Sequence, residues 1–290
     1  MTRPNLSALL LLVTIFLLDA SGAARAAESY DNCSGVITSL PAVISTQGTW
    51  CLKQDLATAI SSGYAITIST NNVTIDCNDF KLGGLAAGAG TQAYGIFAQG
   101  RLNATVRHCN IRGFKLGVSL QGGSGGGHAI EDSLFDGNTV AGIDVEGDGS
   151  VIRRNRVFNS GGSTSNSDAE GISTHASVDI VDNTISGVVA TSGSNGYAYG
   201  IITFNNSNGQ IAGNGVRGLA KAGTGEIYGI LNLSSDRISV HDNDVATNAG
   251  PPSSGLYCNS SNGSARDNMI SGFATAMLNC TNNGGNDFVP

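Results

Sequence analysis

Within 290 residues the chain carries 15 basic and 22 acidic side chains, a net charge of −7, at a mean hydropathy of +0.03. The acidic excess is spread along the chain with no basic cluster, which disfavours nucleic acid and anionic membranes as partners, because both attract cationic surfaces. Gly is abundant (41) and Pro scarce (5), so the chain is turn-rich yet periodic, and disorder is a poor account of it.

The first predicted element is a targeting segment. Arg3 supplies a basic start, residues 6–18 are almost unbrokenly apolar, and Ala24-Arg25-Ala26 has the small-x-small pattern of a signal peptidase site. The apolar run of about 13 residues falls short of the ~20 needed to cross a bilayer. Residues 1–26 are therefore expected to be a signal peptide, with a secreted or periplasmic chain from Ala27 and no membrane insertion. The six Cys all follow it, and an even number in an exported chain reads as disulfides. There is no Cys-x-x-Cys and the four His are scattered, so neither a metal nor a cofactor is expected.

Residues 27–70 are expected to form an N-terminal cap and the first strands, with 52–62 crossing the end as a helical turn or an irregular plug. Residues 71–290 then form one repeat domain together with that cap. A Gly followed by an aliphatic residue recurs at Gly95-Ile96, Gly117-Val118, Gly142-Ile143, Gly171-Ile172, Gly200-Ile201, Gly229-Ile230 and Gly255-Leu256. About ten residues after most of them comes an apolar-x-x-Asn-x-apolar phrase: Asn155, Asn183, Asn214, Asn243 and Asn268, with Asn78, Cys109 and Ser133 in earlier versions. Each copy holds short alternating apolar stretches divided by Gly, Asn, Asp or Ser, which is strand grammar; no segment sustains helical spacing. A unit this short cannot bury its own apolar face, but units stacked as a coil can. The fold class predicted is all-β, a right-handed parallel β-helix of about eight or nine coils. Stacked rungs also suggest three bonds from adjacency: Cys33–Cys51, Cys77–Cys109 and Cys258–Cys280.

The stretch Asn72-Val73-Thr74-Ile75-Asp76-Cys77-Asn78, with the Gly-Ile and Asn-x-Ile phrases after it, resembles the parallel β-helix repeat proteins of the pectin-lyase-like superfamily over residues 60–280. The resemblance implies the fold, but the superfamily spans lyases, hydrolases, epimerases and tailspikes, so function must come from a site. The polygalacturonase-like set (Asn-Thr-Asp, Asp-Asp, Gly-His-Gly, Arg-x-Lys) is missing, as is the mannuronan epimerase Asp-Pro-His-Glu motif. No pectate-lyase-like cluster of acidic calcium ligands with a basic residue can be located.

What remains is the outward face of the strand after each Gly, where sugar-active members place substrate. Alternation counted from the Gly puts Phe97, Ser119, Asp144, Ser173, Ile202, Leu231 and Tyr257 outward on successive rungs. Two positions on come Gln99, Gln121, Glu146, His175, Phe204, Leu233 and Asn259. Asp144, Glu146 and His175 are the candidate catalytic residues. Alternate residues of a strand lie about 6.5–7 Å apart, and inverting glycosidases hold their carboxyls roughly 6.5–9.5 Å apart around a water. Ser173, Phe204, Leu233 and Tyr257 are the candidate substrate-binding residues, the last three forming an apolar stripe. The plainer alternative is a solvated acidic patch with His175 as an ordinary surface residue. Tyr94, Tyr199 and Tyr228 precede their Gly, with Glu170 at the matching place; they read equally as sugar platforms or as packing under loops. Arg107, Glu131 and Arg153, with Asp132, Arg154 and Asp182 beside them, read as rung-to-rung charge complementarity. The loop 160–169 reads as a mobile groove rim or a tolerated insertion. These observations point to a secreted protein that binds an extracellular polysaccharide, with cleavage, by a glycoside hydrolase more than by a lyase or epimerase, as the catalytic version. The alternative is a non-catalytic surface or matrix protein, an adhesin or scaffold.

Overall fold

The computed structural model describes residues 32–248, 250–259 and 263–289, so the expected signal peptide lies outside the described residues. The described residues wind as a parallel solenoid of about nine coils. Each coil adds one strand to each of three parallel sheets. A side sheet has 11 strands from Gly35–Ile37 to Thr281–Asn282, a back sheet has 10 from Leu56–Ala57 to Asp287–Val289, and a front sheet has 10 from Ala42–Ile44 to Thr275–Leu278. Between the first and last of these strands the described residues form one short helix, the single 3-10 turn Leu85–Ala87.

Hydrophobic ladders hold the coils together. Ile96, Val118, Ile143, Ile172, Ile201, Ile230 and Leu256 stand in register on successive front strands, each at most 1% exposed. Matching columns run up the side sheet (Val106, Ile130, Ile152, Ile180, Ile211, Val240) and the back sheet (Ile111, Phe135, Val157, Ile185, Val216, Val245). The inner faces are mostly apolar, as strands of a covered parallel sheet are, with Thr174, Thr203 and Asn232 as a buried polar column within the front sheet.

The two recurrent phrases sit at or beside corners. The Gly column lies within the front strands, just after the chain turns in from the back sheet, and what it needs is room. A Cβ on Gly200 would lie 2.3 Å from Val216 Cγ1 and 2.5 Å from the Gly229 carbonyl, and Gly171 and Gly229 repeat the conflict one rung away on either side. The Asn column turns the side sheet into the back sheet. Each Asn Oδ1 accepts the backbone N–H of the Asn below: Asn183 from Asn155 at 2.9 Å, Asn214 from Asn183 at 2.9 Å, Asn243 from Asn214 at 2.9 Å. Each Nδ2 donates to a carbonyl of the rung below, as Asn183 does to Ile152 at 2.9 Å. The residue before it (Asp132, Arg154, Asp182, Asp242, Asp267) turns the chain with a φ of 50–57°. Ser133 Oγ substitutes on an early rung, accepting the Cys109 N–H at 3.1 Å.

All three expected disulfides form, with Cα separations of 5.8, 4.7 and 5.0 Å. Two pairs of the expected charge ladder form, Arg153 on Glu131 at 2.6 Å and Arg154 on Asp132 at 2.7 Å, while Arg107 is paired with Asp76, outside the expected set, at 2.8 Å. One expectation fails. Residues 52–62 make no helical turn or plug; Leu56–Ala57 is a back-sheet strand paired with Leu82 and Gly83. Leu52 and Leu56, four apart, are both buried because a corner lies between them, and that spacing imitates one helical turn.

Candidate functional site

The alternation that buries the ladders presents three outward rows on the front sheet. The row before the Gly corner reads Tyr64, Tyr94, Leu116, Ala141, Glu170, Tyr199, Tyr228 and Ser254. The next reads Thr67, Phe97, Ser119, Asp144, Ser173, Ile202, Leu231 and Tyr257, and the last Gln99, Gln121, Glu146, His175, Phe204, Leu233 and Asn259.

The middle rungs are acidic. Ser119 Oγ donates to Asp144 Oδ2 at 2.9 Å. Asp144 pairs across the rung with Ser173, and Glu146 with His175. The His175 ring stacks on Phe204 at 4.6 Å and 9°. Burial raises the Asp144 carboxyl above its ordinary range and the Glu146 charge adds to this, against the Ser119 hydrogen bond and His175. Glu146 itself is exposed, its stem lying over Gly122 of the rung before. Behind them Glu170 is partly buried and accepts a hydrogen bond from Ser173. Burial first, then the charges of Asp144 and Asp168, push the Glu170 carboxyl up to about 7.

Aromatic rows flank this centre along the solenoid. On the C-terminal side Tyr197, Tyr199, Tyr228 and Tyr257 stack at 5.9, 5.6 and 5.9 Å, beside the buried Ile202 and Leu231. The Tyr228 hydroxyl pairs with the Glu226 carboxylate. On the N-terminal side Tyr64 lies flat on Phe97 at 3.9 Å, with Tyr94 edge-on to Tyr64 at 5.6 Å. A wall of loops borders the Glu170 row. Gln92 Nε2 donates to Ser165 Oγ at 2.6 Å, Thr191 Oγ1 to the Asn166 carbonyl at 2.8 Å, and the Tyr197 N–H to Asp168 Oδ1 at 2.9 Å. The loop 160–169 is thus tied down on both sides.

No protein-family model matches the sequence, and no curated protein matches it either. Solved structures do. The enzymatically active domain of tailspike protein 2 from bacteriophage CBA120 aligns at a TM-score of 0.51 with 15% identity, over 87% of this chain and 41% of that one. The Dettilon tailspike protein aligns at 0.50 with 16% identity, over 87% and 56%. The chain therefore spans about half the length of these tailspikes. A mannuronan C-5 epimerase A-module from Azotobacter vinelandii aligns at 0.45 with 14% identity, over 89% and 91%. The fold is a parallel β-helix, as in these tailspike structures. At such identities the likeness extends to the fold alone.

On this β-helix Asp144, Glu146, Ser173 and His175 fall on two adjacent rungs of one face. Phe204 and Leu233 continue the His175 row, while Tyr257 belongs to the neighbouring row and reaches back to Tyr228. Glu170 was given no role by forward counting from the Gly. The signal was its place: one carboxyl in a row that holds Tyr on four other rungs. Among the described residues no group of three His, Cys, Asp or Glu is arranged to hold a metal, and no helix is long and apolar enough to cross a membrane.

Proposed function

We propose that the front face binds a polysaccharide laid along the solenoid axis and hydrolyses it at the acidic centre. The order of residues along that axis carries the reading: aromatic rings on the Tyr64 and Tyr94 rungs, then, past the Leu116 rung, carboxyls on the Asp144 and Glu170 rungs, then aromatic rings again from the Tyr199 rung on. Aromatic faces stack on the apolar faces of sugar rings. Phe204, Leu233, Tyr257 and the stacked tyrosines make one flank, and Tyr64 and Tyr94 the other. Ser173 hydrogen-bonds within the centre. Asp144 is the base, His175 biases Asp144 towards the carboxylate, and Glu146 stands exposed where a bound sugar passes. The three rows contain no Lys or Arg, so a neutral glycan suits them better than a polyuronate, whose charges the centre would repel. Three disulfides favour an oxidising compartment, periplasmic or extracellular.

The test is incubation of residues 27–290 with a panel of neutral and uronic polysaccharides, read for reducing ends and for unsaturated products. New reducing ends from a neutral glycan, without unsaturation, are expected. Retention on a glycan that is never cleaved, weakened by Phe204→Ala and Tyr257→Ala, would replace hydrolysis with a non-catalytic adhesin or scaffold. Neither retention nor cleavage would leave the front face a solvated wall.

A further inference from the structure

Hydrolysis at this centre requires one carboxyl to arrive with its proton, and three stand there. We propose that Glu170 is the proton donor to the glycosidic oxygen and Asp144 its basic partner, with Glu146 contacting the sugar instead of transferring the proton. This rests on the hydrolytic reading above and adds to it a residue outside the forward-counted rows.

Position is the first argument. Glu170 stands in the row that carries Tyr64 and Tyr94 on one side and Tyr199 and Tyr228 on the other, between Ala141 and Tyr199 on the adjacent rungs. A glycan resting on Tyr94 at one flank and Tyr199 and Tyr228 at the other passes directly over it. Environment is the second. Glu170 is enclosed by the loop wall that carries Asp168, with Ser173 hydrogen-bonded to it and Asp144 beside it, and among these no cation is paired with it. Enclosure among other carboxyls favours the neutral, proton-bearing form. Burial raises Asp144 as well, but the Ser119 hydroxyl donating to it at 2.9 Å and the His175 imidazole oppose that shift, whereas the charges of Asp144 and Asp168 add to the one on Glu170. Of two enclosed carboxyls, the one beside an imidazole gives up its proton first and suits the base role, and the one among other carboxyls keeps its proton and suits the acid role. Glu146, exposed over Gly122, lacks any comparable enclosure. The third argument is cost. Tyr occupies this place on four other rungs, so an enclosed carboxyl without a counter-cation is not what packing alone would select.

In the step, the bond from C1 to the glycosidic oxygen breaks and its electron pair stays on that oxygen. The oxygen takes the Glu170 proton and leaves as an alcohol. A water attacks C1, surrenders a proton to the Asp144 carboxylate, and its oxygen becomes the new anomeric hydroxyl. The Asp144 proton returns to Glu170 through solvent.

The experiment compares Glu170→Gln and Glu146→Gln on whichever polysaccharide of the panel is cleaved, and on a dinitrophenyl glycoside of the same sugar, whose leaving group needs no proton. Glu170→Gln should lose about 100-fold or more in kcat/KM on the polysaccharide, far less on the dinitrophenyl substrate, and should lose the alkaline limb of the pH profile. Glu146→Gln should lose less and keep that limb. The reverse pattern, or turnover that survives Glu170→Gln, overturns the donor role and leaves hydrolysis standing. No cleavage of any substrate by the unaltered protein overturns both. A readout free of substrate is the infrared difference spectrum between the protein and Glu170→Gln, which should contain a carboxyl band titrating at about 7. A Glu170 already ionised at about pH 5 overturns the assignment by itself.

Discussion

A carboxyl whose pKa lies at about 7 in the folded chain, against a reference of 4.5, is bound more tightly to its proton by the fold than by water. Its contribution to stability is therefore complete below about pH 4.5 and is lost as pH rises through about 7. Above that the fold must hold an enclosed carboxylate, at a cost on the order of 3 kcal/mol. Glu170→Gln removes the titration and keeps the shape. In urea unfolding the variant and the parent should be alike at about pH 4, and the variant more stable by up to that amount at about pH 8. Equal midpoints at both pH values would show that burial is not what holds the proton. The Asn column makes a second prediction. Asn183→Ala leaves the Asn155 N–H and the Ile152 carbonyl without their side-chain partners, and should cost about 2–4 kcal/mol, read by the same unfolding experiment. That column was legible because a repeated Asn at a fixed place in each copy has few explanations other than stacking. Glu170 was not, since its row also holds Leu116, Ala141 and Ser254, and a carboxyl there breaks no period.

At the scale of strands and corners, the glycines separate room from backbone freedom. Gly200 and Gly215 are both strand glycines without a left-handed φ. Gly200 faces Val216 and the next rung's carbonyl at 2.3 and 2.5 Å, whereas a Cβ on Gly215 would meet nothing within 4 Å. Gly200→Ala should therefore destabilise by about 2 kcal/mol or more through overpacking. Gly215→Ala should change stability by less than about 1 kcal/mol, and towards greater stability, because Ala has less freedom to lose than Gly. Thermal unfolding of the pair decides it, and similar losses for both would mean that the column serves conformation instead of space. The same contrast marks what could be read in advance. Ladders, corners and rung-to-rung ion pairs repeat, so counting finds them. The loop wall joins Gln92 to Ser165 across 73 residues, and no local pattern encodes such a bond. Residues 52–62 misled because a corner between two buried leucines has the spacing of a helix turn.

Over the whole solenoid, the distance between the two aromatic flanks becomes a measurable property of the ligand. Four rungs separate the strand of Tyr94 from that of Tyr199, which at about 4.8 Å per rung is roughly 19 Å. A short oligosaccharide can rest on one flank or the other, whereas a long one crosses the acidic centre and engages both. Affinity should therefore rise with chain length in two stages, the second beginning when the ligand first spans the gap. Each aromatic contact should contribute about 0.5–1.5 kcal/mol. Tyr94→Ala and Tyr228→Ala are far enough apart that their losses should add within about 0.3–0.5 kcal/mol for spanning ligands. For ligands too short to span, each substitution should remove one of two alternative sites, so the pair should lose more than the sum. Calorimetric titration of a length series into an Asp144→Asn background, which would bind without turnover, separates these cases. An affinity that stops rising before the gap is spanned, with Tyr94→Ala silent at every length, would mean that the glycan crosses the rungs transversely, and the two aromatic rows would then have no common ligand.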